Sequence, residues 1–278
     1  MARATTIYGE GLAGLYDLFH RSKPYRAEAR FIRDAVVEMR GRSGRTLKLL
    51  DLACGSGSHA VEFSRLGFDV TGVDSSPEML AYARRKARTA RRSIRFENQD
   101  LTRLSLRGET WDVATCLFDS IGYLRTDVRI RRALRRICTA LAPGGILFLE
   151  VWHAPAMLGA FDPVRIRRVR TDRIEGVRIA ETRLRKRGNV AEVSYEIFSR
   201  KRGGAWHRFH EKHVNRFFTA TEISDLVEGS GFRIKRILGG YDNASKPARR
   251  AWHLVIVAER TAPNNESKTP RLKSKVFG

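Results

Sequence analysis

Asp51, Gly55, Gly57 and Asp74 are the residues whose types and spacing could do chemistry. The two glycines lie in Ala53-Cys54-Gly55-Ser56-Gly57-Ser58, directly after the largely apolar run Leu47 to Leu52. Without a Cβ each can take a positive φ, and a ligand can lie against the bare backbone. A second apolar run ends at Asp74, nineteen residues beyond Gly55, where a carboxylate can accept hydrogen bonds from both hydroxyls of a ribose. The run lacks the third glycine of the dinucleotide fingerprint and is preceded by an acid. A strand, a glycine turn, a helix and a strand-end acid together predict a site for a nucleoside-bearing cofactor.

Apolar runs alternate with helical segments from residue 47 to 151, which predicts a parallel sheet with helices on both faces. A helix is expected over Ser58 to Leu66, stopping at Gly67, and another capped by Ser76 with Pro77 at its first position. Met79, in the first turn of that helix, could touch a base or simply fill the core. Ligands of such sheets sit at the carboxyl ends of the strands. The residues of interest are therefore Ala53 to Gly57, Asp74, Ser75, Asp100, Leu101, Leu117 to Tyr123 and Glu150 to His153.

Asp51-x-x-x-Gly55-x-Gly57, followed by Asp74, resembles the first two motifs of class I S-adenosylmethionine (AdoMet) dependent methyltransferases. Gln99-Asp100-Leu101, Trp111 to Cys116 and Leu141-Ala142-Pro143-Gly144-Gly145 continue the family's order, the last resembling a helix-to-strand turn before strand five. The resemblance covers roughly residues 10 to 258. It implies a doubly wound, mostly parallel seven-stranded sheet, AdoMet as cofactor, and Asp100 near the adenine amino group. Tyr16-Asp17-Leu18-Phe19-His20, Phe118-Asp119-Ser120-Ile121-Gly122-Tyr123 and Glu150-Val151-Trp152 look like bacterial small-molecule N-methyltransferases, in particular the N,N-dimethyltransferases of nucleotide-linked amino sugars.

In those enzymes the N-terminal segment supplies aromatic and basic residues to the site. Tyr16, Tyr25 and Arg30 are thus candidates on the helices read over Tyr8 to Phe19 and Tyr25 to Met39, with core packing as the alternative. Cofactor contacts are expected from these three, Asp51, Ala53, Cys54, Gly55, Ser56, Gly57, Asp74, Ser75, Met79, Asp100, Leu101 and Leu117.

Residues 161 to 218 alternate apolar and polar side chains at a period of two, with turns at Gly188-Asn189 and Gly203-Gly204. This predicts an antiparallel insert of three or four strands after strand five. By resemblance it covers the acceptor or forms a homodimer contact. His207 and His213 fall on one strand face and His210 on the other, so a joint metal site is not expected. The expected division is a helical cover (1–45), a cofactor core (46–160), the insert (161–218), the remainder of the core (219–260) and a disordered basic tail (261–278).

A content of 42% hydrophobic residues is enough for a core. No stretch approaches the roughly 20 apolar residues of a membrane span, and the N-terminus lacks a signal core, so a cytoplasmic enzyme is expected. Three scattered cysteines make neither a disulfide framework nor a metal site. The formal charge of +23 raises nucleic acid as a partner, but the arginines are spread over many elements, as on a solvated basic surface.

An amine acceptor must reach the cofactor as its free base, which asks for a nearby proton acceptor. By location at the strand ends, Asp119, Tyr123 and His153 are the catalytic candidates, and Glu150, Trp152 and Tyr241 the acceptor contacts. The expected reaction is methyl transfer to a small amine, an amino sugar or related metabolite, without metal. The alternatives are an RNA- or DNA-modifying enzyme and an O-methyltransferase on a small metabolite.

Overall fold

The computed structural model describes residues 10–261, apart from residues 42, 107, 160, 186 and 245. Tyr8 and Gly9, expected to begin the first helix, and residues 262–278 of the expected basic tail lie outside the described residues. Helices α1 (Glu10–His20) and α2 (Tyr25–Arg40) precede strand β1 (Lys48–Leu52). Then come α3 (Ser58–Arg65), β2 (Asp69–Asp74), α4 (Pro77–Thr89), β3 (Arg95–Asn98), β4 (Trp111–Cys116), α5 (Asp127–Ala140) and β5 (Leu141–Trp152). After the short α6 (Ala154–Gly159), strands β6 (Val164–Arg170), β7 (Ile174–Arg185), β8 (Val190–Lys201) and β9 (His207–Arg216) form the insert. Helix α7 (Ala220–Glu228), β10 (Phe232–Leu238) and β11 (His253–Arg260) complete the described chain.

The main sheet has the order β10-β11-β5-β4-β1-β2-β3. Strands β1 to β5 are mutually parallel, while β11 runs antiparallel to both β5 and β10. The order reverses between β1 and β4, and that switch point is where doubly wound sheets open a crevice for ligands. Both faces are buried, as parallel strands require. Leu50, Leu52, Ala114 and Cys116 meet α5 and α7 on one side, and Leu49, Val113 and Phe148 meet α2 and α3 on the other. No helix among the described residues is long and apolar enough to cross a membrane.

Local chemistry sets the helix ends. Ser76 Oγ accepts from the Met79 amide at 3.1 Å ahead of Pro77, and Thr219 and Glu222 form a reciprocal capping box on α7. The Leu-Ala-Pro-Gly-Gly segment differs from the expected separate turn. Leu141 already pairs with Trp111, pairing resumes at Ile146 with Val113, and the residues between bulge outward with Gly144 at φ 70°. This keeps β5 continuous, because a bulge absorbs extra residues without ending a strand.

The insert is a separate antiparallel sheet in the order β6-β7-β8-β9. It is rooted beside the end of β5, where the Phe218 amide donates to the Trp152 carbonyl at 2.9 Å. Helix α1 packs on its inner face through Leu15 and Phe19 against Ile197. Asn215 of β9 donates from Nδ2 to the Asp119 carbonyl at 3.1 Å and so ties the insert to the 3-10 turn Ser120–Leu124 that follows β4. A Cβ at Gly122 would overlap the Asn215 side chain and the Arg216 carbonyl, which is why the turn needs glycine there.

Candidate active site

At the sheet's switch point the strand ends enclose a cleft of three adjoining lobes. The first, about 180 Å³, lies over the ends of β1, β2 and β3. Tyr16, Ala53, Gly55, Asp74, Ser75 and Met79 line it, with Asp100 and Leu101 from the β3 end. The second, about 40 Å³, sits over the glycine turn and is lined by Tyr25, Asp51, Cys54, Ser56 and Leu117 among others. The third, about 80 Å³, is walled by α1, the 3-10 turn and the inner face of the insert, and contains Asp119, Tyr123 and Trp152. Tyr16 and Phe118 line all three lobes and mark where they meet.

The backbone at this junction is unusual. Ala53, Phe118 and Asp119 have φ of 52°, 56° and 60°, a region side chains disfavour. Hydrogen bonds hold it: the Phe118 amide donates to Glu150 Oε2 at 2.7 Å, and the Gly55 amide to Asp74 Oδ2 at 2.8 Å. Asp74 Oδ1 accepts from the Ser76 amide at 2.9 Å, so one carboxylate fixes both the glycine turn and the start of α4. Burial pushes the Asp74 carboxyl up, and those amides oppose the shift.

Gly57 does not line a lobe. It sits at φ 76°, and a Cβ there would lie 2.9 Å from that of Ala83, so the glycine lets α3 and α4 close on each other. Asp100 Oδ1 accepts from the Thr102 amide at 2.7 Å and holds the turn that presents Leu101. Asp51 is 2% exposed, accepts from Thr115 Oγ1 at 2.8 Å, and its Oδ2 has no hydrogen-bond partner. Burial pushes its carboxyl up to about 6. Tyr25 Oη is likewise buried, and desolvation raises its phenol.

Arg30 and His153 also line none of the lobes. Arg30 is exposed on α2, whose buried stripe is Glu28, Ala29, Ile32, Ala35 and Val36, so the helical period turns it outward. His153 is buried at the foot of the insert, with Nδ1 3.1 Å from the Ala251 carbonyl, and it lines none of the three lobes. Burial lowers its basicity. Its place is the strand end, where it bridges to Phe218.

Glu150 and Tyr241, expected as acceptor contacts, line none of the three lobes. Tyr241 donates to Glu150 Oε2 at 2.6 Å. His253, which the sequence reading missed, places Nδ1 3.1 Å from Glu150 Oε1 and 3.3 Å from Asp119 Oδ2. Burial works against the imidazolium, but the two carboxylates carry His253 up to about 10. Burial raises Asp119, whereas His253 and Lys23 outweigh burial and hold Glu150 low. At neutral pH the group is an imidazolium between carboxylates. The ligand atoms of these three side chains lie within 4.8 Å of one another.

The insert adds residues to the third lobe. Arg178, Tyr195, Glu211, His213 and Asn215 line the third lobe, together with His20 of α1. Tyr123 Oη is 2.8 Å from His213 Nδ1, and His213 Nε2 is 2.8 Å from Glu211 Oε2. Period-two alternation already put Glu211, His213 and Asn215 on one face of β9. Polar side chains at three successive inward positions were the signal available. His20 Nε2 lies 3.4 Å from Arg178 Nη1, and burial with that cation lowers its pKa to about 4.

The glycine turn is also tied to α1. Ser56 Oγ donates to Asp17 Oδ1 at 2.5 Å, and Lys86 Nζ lies 2.7 Å from Asp17 Oδ2. Cys116, buried under the sheet, is pushed by burial up to about 12 and is no nucleophile at neutral pH.

A family model described as a methyltransferase domain matches residues 49–145, which span the glycine turn through the start of β5. The dTDP-3-amino-3,4,6-trideoxy-alpha-D-glucopyranose N,N-dimethyltransferase of Streptomyces venezuelae is 29% identical over 236 residues, 84% of this chain and 95% of that protein. The sugar N-methyltransferase KedS8 from Streptoalloteichus sp. superposes with a TM-score of 0.75 at 25% identity, covering 94% of this chain and 99% of that one. CalS10, an amino pentose methyltransferase from Micromonospora echinaspora solved with AdoMet bound, gives a TM-score of 0.69 at 25% identity over 93% and 100%. The unpartnered Asp51 oxygen, the bare glycine turn and the Asp74 carboxylate fit such a cofactor, and with these similarities they identify the chain as a class I S-adenosylmethionine-dependent methyltransferase.

Proposed function

We propose that the protein methylates the amino group of a small acceptor, an amino sugar carried on a nucleotide or a closely related amine. The observation that carries this reading is the third lobe. It is small and closed over by the insert, with apolar Leu15, Phe19, Trp152 and Ile197 facing polar Tyr123, His213 and Arg178. A deoxy amino sugar has the same division of surface, and the names of the similar proteins point to the same chemistry.

Bound AdoMet supplies an electrophilic methyl group on a positively charged sulfur. On this reading Asp74 receives the ribose hydroxyls, Leu101 and Met79 flank the base, and Asp51 Oδ2 draws the cofactor's ammonium toward the second lobe. Tyr16 and Phe118, at the junction of the lobes, align the acceptor nitrogen with the methyl group and exclude water. Much of the rate enhancement then comes from positioning. Residues 46–160 and 219–260 act as the cofactor core, and residues 161–218 as the acceptor cover.

The charge of +23 favours a second reading, nucleic acid as acceptor. One assay separates the two. Labelled AdoMet is offered with dTDP-3-amino-3,6-dideoxy-alpha-D-glucopyranose, with total RNA and with DNA. Label in the sugar nucleotide supports the amine reading, and nuclease-sensitive label that falls with salt overturns it.

A further inference from the structure

The third lobe must dispose of a proton. An amine at neutral pH arrives as an ammonium ion, and its proton must leave before the nitrogen can attack. Resting on the amine reading above, we propose that Tyr123, His213 and Glu211 form a proton relay that strips the acceptor nitrogen before methyl transfer. Tyr123 touches the acceptor, while His213 and Glu211 act through it.

The hydrogen-bond network assigns the direction. The Glu211 carboxylate only accepts, so the 2.8 Å contact places a proton on His213 Nε2. In the neutral imidazole His213 Nδ1 then carries the lone pair, placed 2.8 Å from the Tyr123 hydroxyl to accept from it. Both His213 and Glu211 are buried, at 3% and 8% exposure, and Tyr123 reaches the first lobe as well as the third. It thus stands between the cofactor side and the acceptor side of the cleft.

Neighbouring contacts hold the relay in place. Asn215, two residues along the same inward face of β9, anchors the strand to the turn that carries Tyr123. Tyr195 of β8 meets the His213 ring edge-on at 5.0 Å, and Arg178 of β7 lies over the Tyr195 ring at 5.1 Å. The other titratable groups of the lobe are Tyr16, His20, Asp119, Arg178 and Tyr195; burial and Arg178 keep His20 neutral, and burial raises the Tyr195 phenol.

The step balances. As the ammonium N–H bond breaks, its proton moves to the Tyr123 oxygen, and the Tyr123 O–H proton moves to His213 Nδ1. The imidazolium so formed is compensated by the Glu211 carboxylate, as a buried acid supports a histidine base elsewhere. The exposed nitrogen lone pair forms the N–C bond as the C–S bond breaks with its electron pair going to sulfur. When product leaves, the proton returns through Tyr123 to the opened lobe.

The test uses the full chain with AdoMet and dTDP-3-amino-3,6-dideoxy-alpha-D-glucopyranose. Tyr123→Phe, His213→Asn and Glu211→Gln should each lower kcat, the first two by about 10²-fold or more, with AdoMet affinity unchanged in calorimetry. The Tyr123→Phe/His213→Asn double variant should be no slower than the slower single one, because the two act as a unit. The deficits should shrink as pH rises past the pKa of the amine, since the acceptor then arrives deprotonated. Additive losses that are constant with pH would overturn the relay.

Failure of wild-type turnover on this probe would count against the amino-sugar reading alone. The relay is then read without an acceptor, by ¹⁵N NMR of His213 in the AdoMet-bound protein. Protonated Nε2 with unprotonated Nδ1, and an Nδ1 shift that moves in Tyr123→Phe, supports it. A proton resident on Nδ1 overturns it whatever the acceptor.

Discussion

His253 Nδ1 lies 3.3 Å from Asp119 Oδ2 and 3.1 Å from Glu150, so the imidazolium at the start of β11 neutralises the acids that follow β4 and end β5. Both carboxylates are 2% exposed. Replacing His253 by Gln leaves two buried acids without their cation. Breaking a buried charge pair in this way costs about 3 kcal/mol, the low end of its range because one edge of the imidazole faces solvent. Urea unfolding should show the loss, and Asp119→Asn in the same chain should recover part of it. A His253→Gln variant as stable as wild type would remove the pairing from the account.

The same cluster gives stability a direction with pH. His253 is raised from 6.5 to about 10, so its contribution is full below pH 6.5 and is lost as pH rises toward 10. Asp51 and Asp119 are raised from 3.8 to about 6, so their neutral forms favour folding and that contribution fades as pH climbs from 3.8 to 6. Glu150 acts oppositely, stabilising above its usual 4.5 and losing this as pH falls through about 2. Thermal unfolding from pH 5 to 10 should therefore show a decline between 6.5 and 10 that His253→Gln abolishes.

Asp74, the proposed ribose ligand, also holds the glycine turn, because its two oxygens accept the Gly55 and Ser76 amides. Asp74→Ala removes a charged acceptor from both, a loss of about 1.5–3 kcal/mol. AdoMet should then bind roughly 10- to 100-fold more weakly by calorimetry. Unchanged affinity would sink the ribose assignment.

Gly122→Ala tests how the insert is seated. The added methyl group has no room beside Asn215 and the Arg216 carbonyl, so β9 must draw away from the turn at a cost of about 1–3 kcal/mol. AdoMet binding, assigned to the lobe of Gly55 and Asp74, should survive while methyl transfer drops. Parallel loss of both would mean that the turn, and not the insert, has moved.

Asp119, Glu150 and His253 are close enough together to raise the question of a divalent cation. A protonated His253 cannot be a ligand, and the ion-paired arrangement predicts that prolonged EDTA treatment leaves turnover unchanged. Loss of activity restored by Mg²⁺ or Mn²⁺ would assign the cluster a metal.

The sequence by itself determined what neighbouring residues decide together. Gly55 turns and Asp74 ends its strand within one strand–turn–helix unit, and Ser76 with Pro77 starts a helix through bonds spanning three residues, so the local geometry of the first lobe was legible. The antiparallel insert was legible because its strands alternate at a period of two. The limits of that legibility show in Arg30 and His153: one helical step turned the first outward, and a bridge to Phe218 buried the second.

Only the tertiary structure decided which distant side chains share a cavity. His253 meets Asp119 and Glu150 because β11 inserts antiparallel beside β5, a pairing no local pattern encodes. Tyr123 meets His213 because Gly122 and Asn215 let the insert close on the turn after β4. The helical and strand periods fix where a residue faces on its own element, but the burial and charge of the third lobe depend on how separate elements pack.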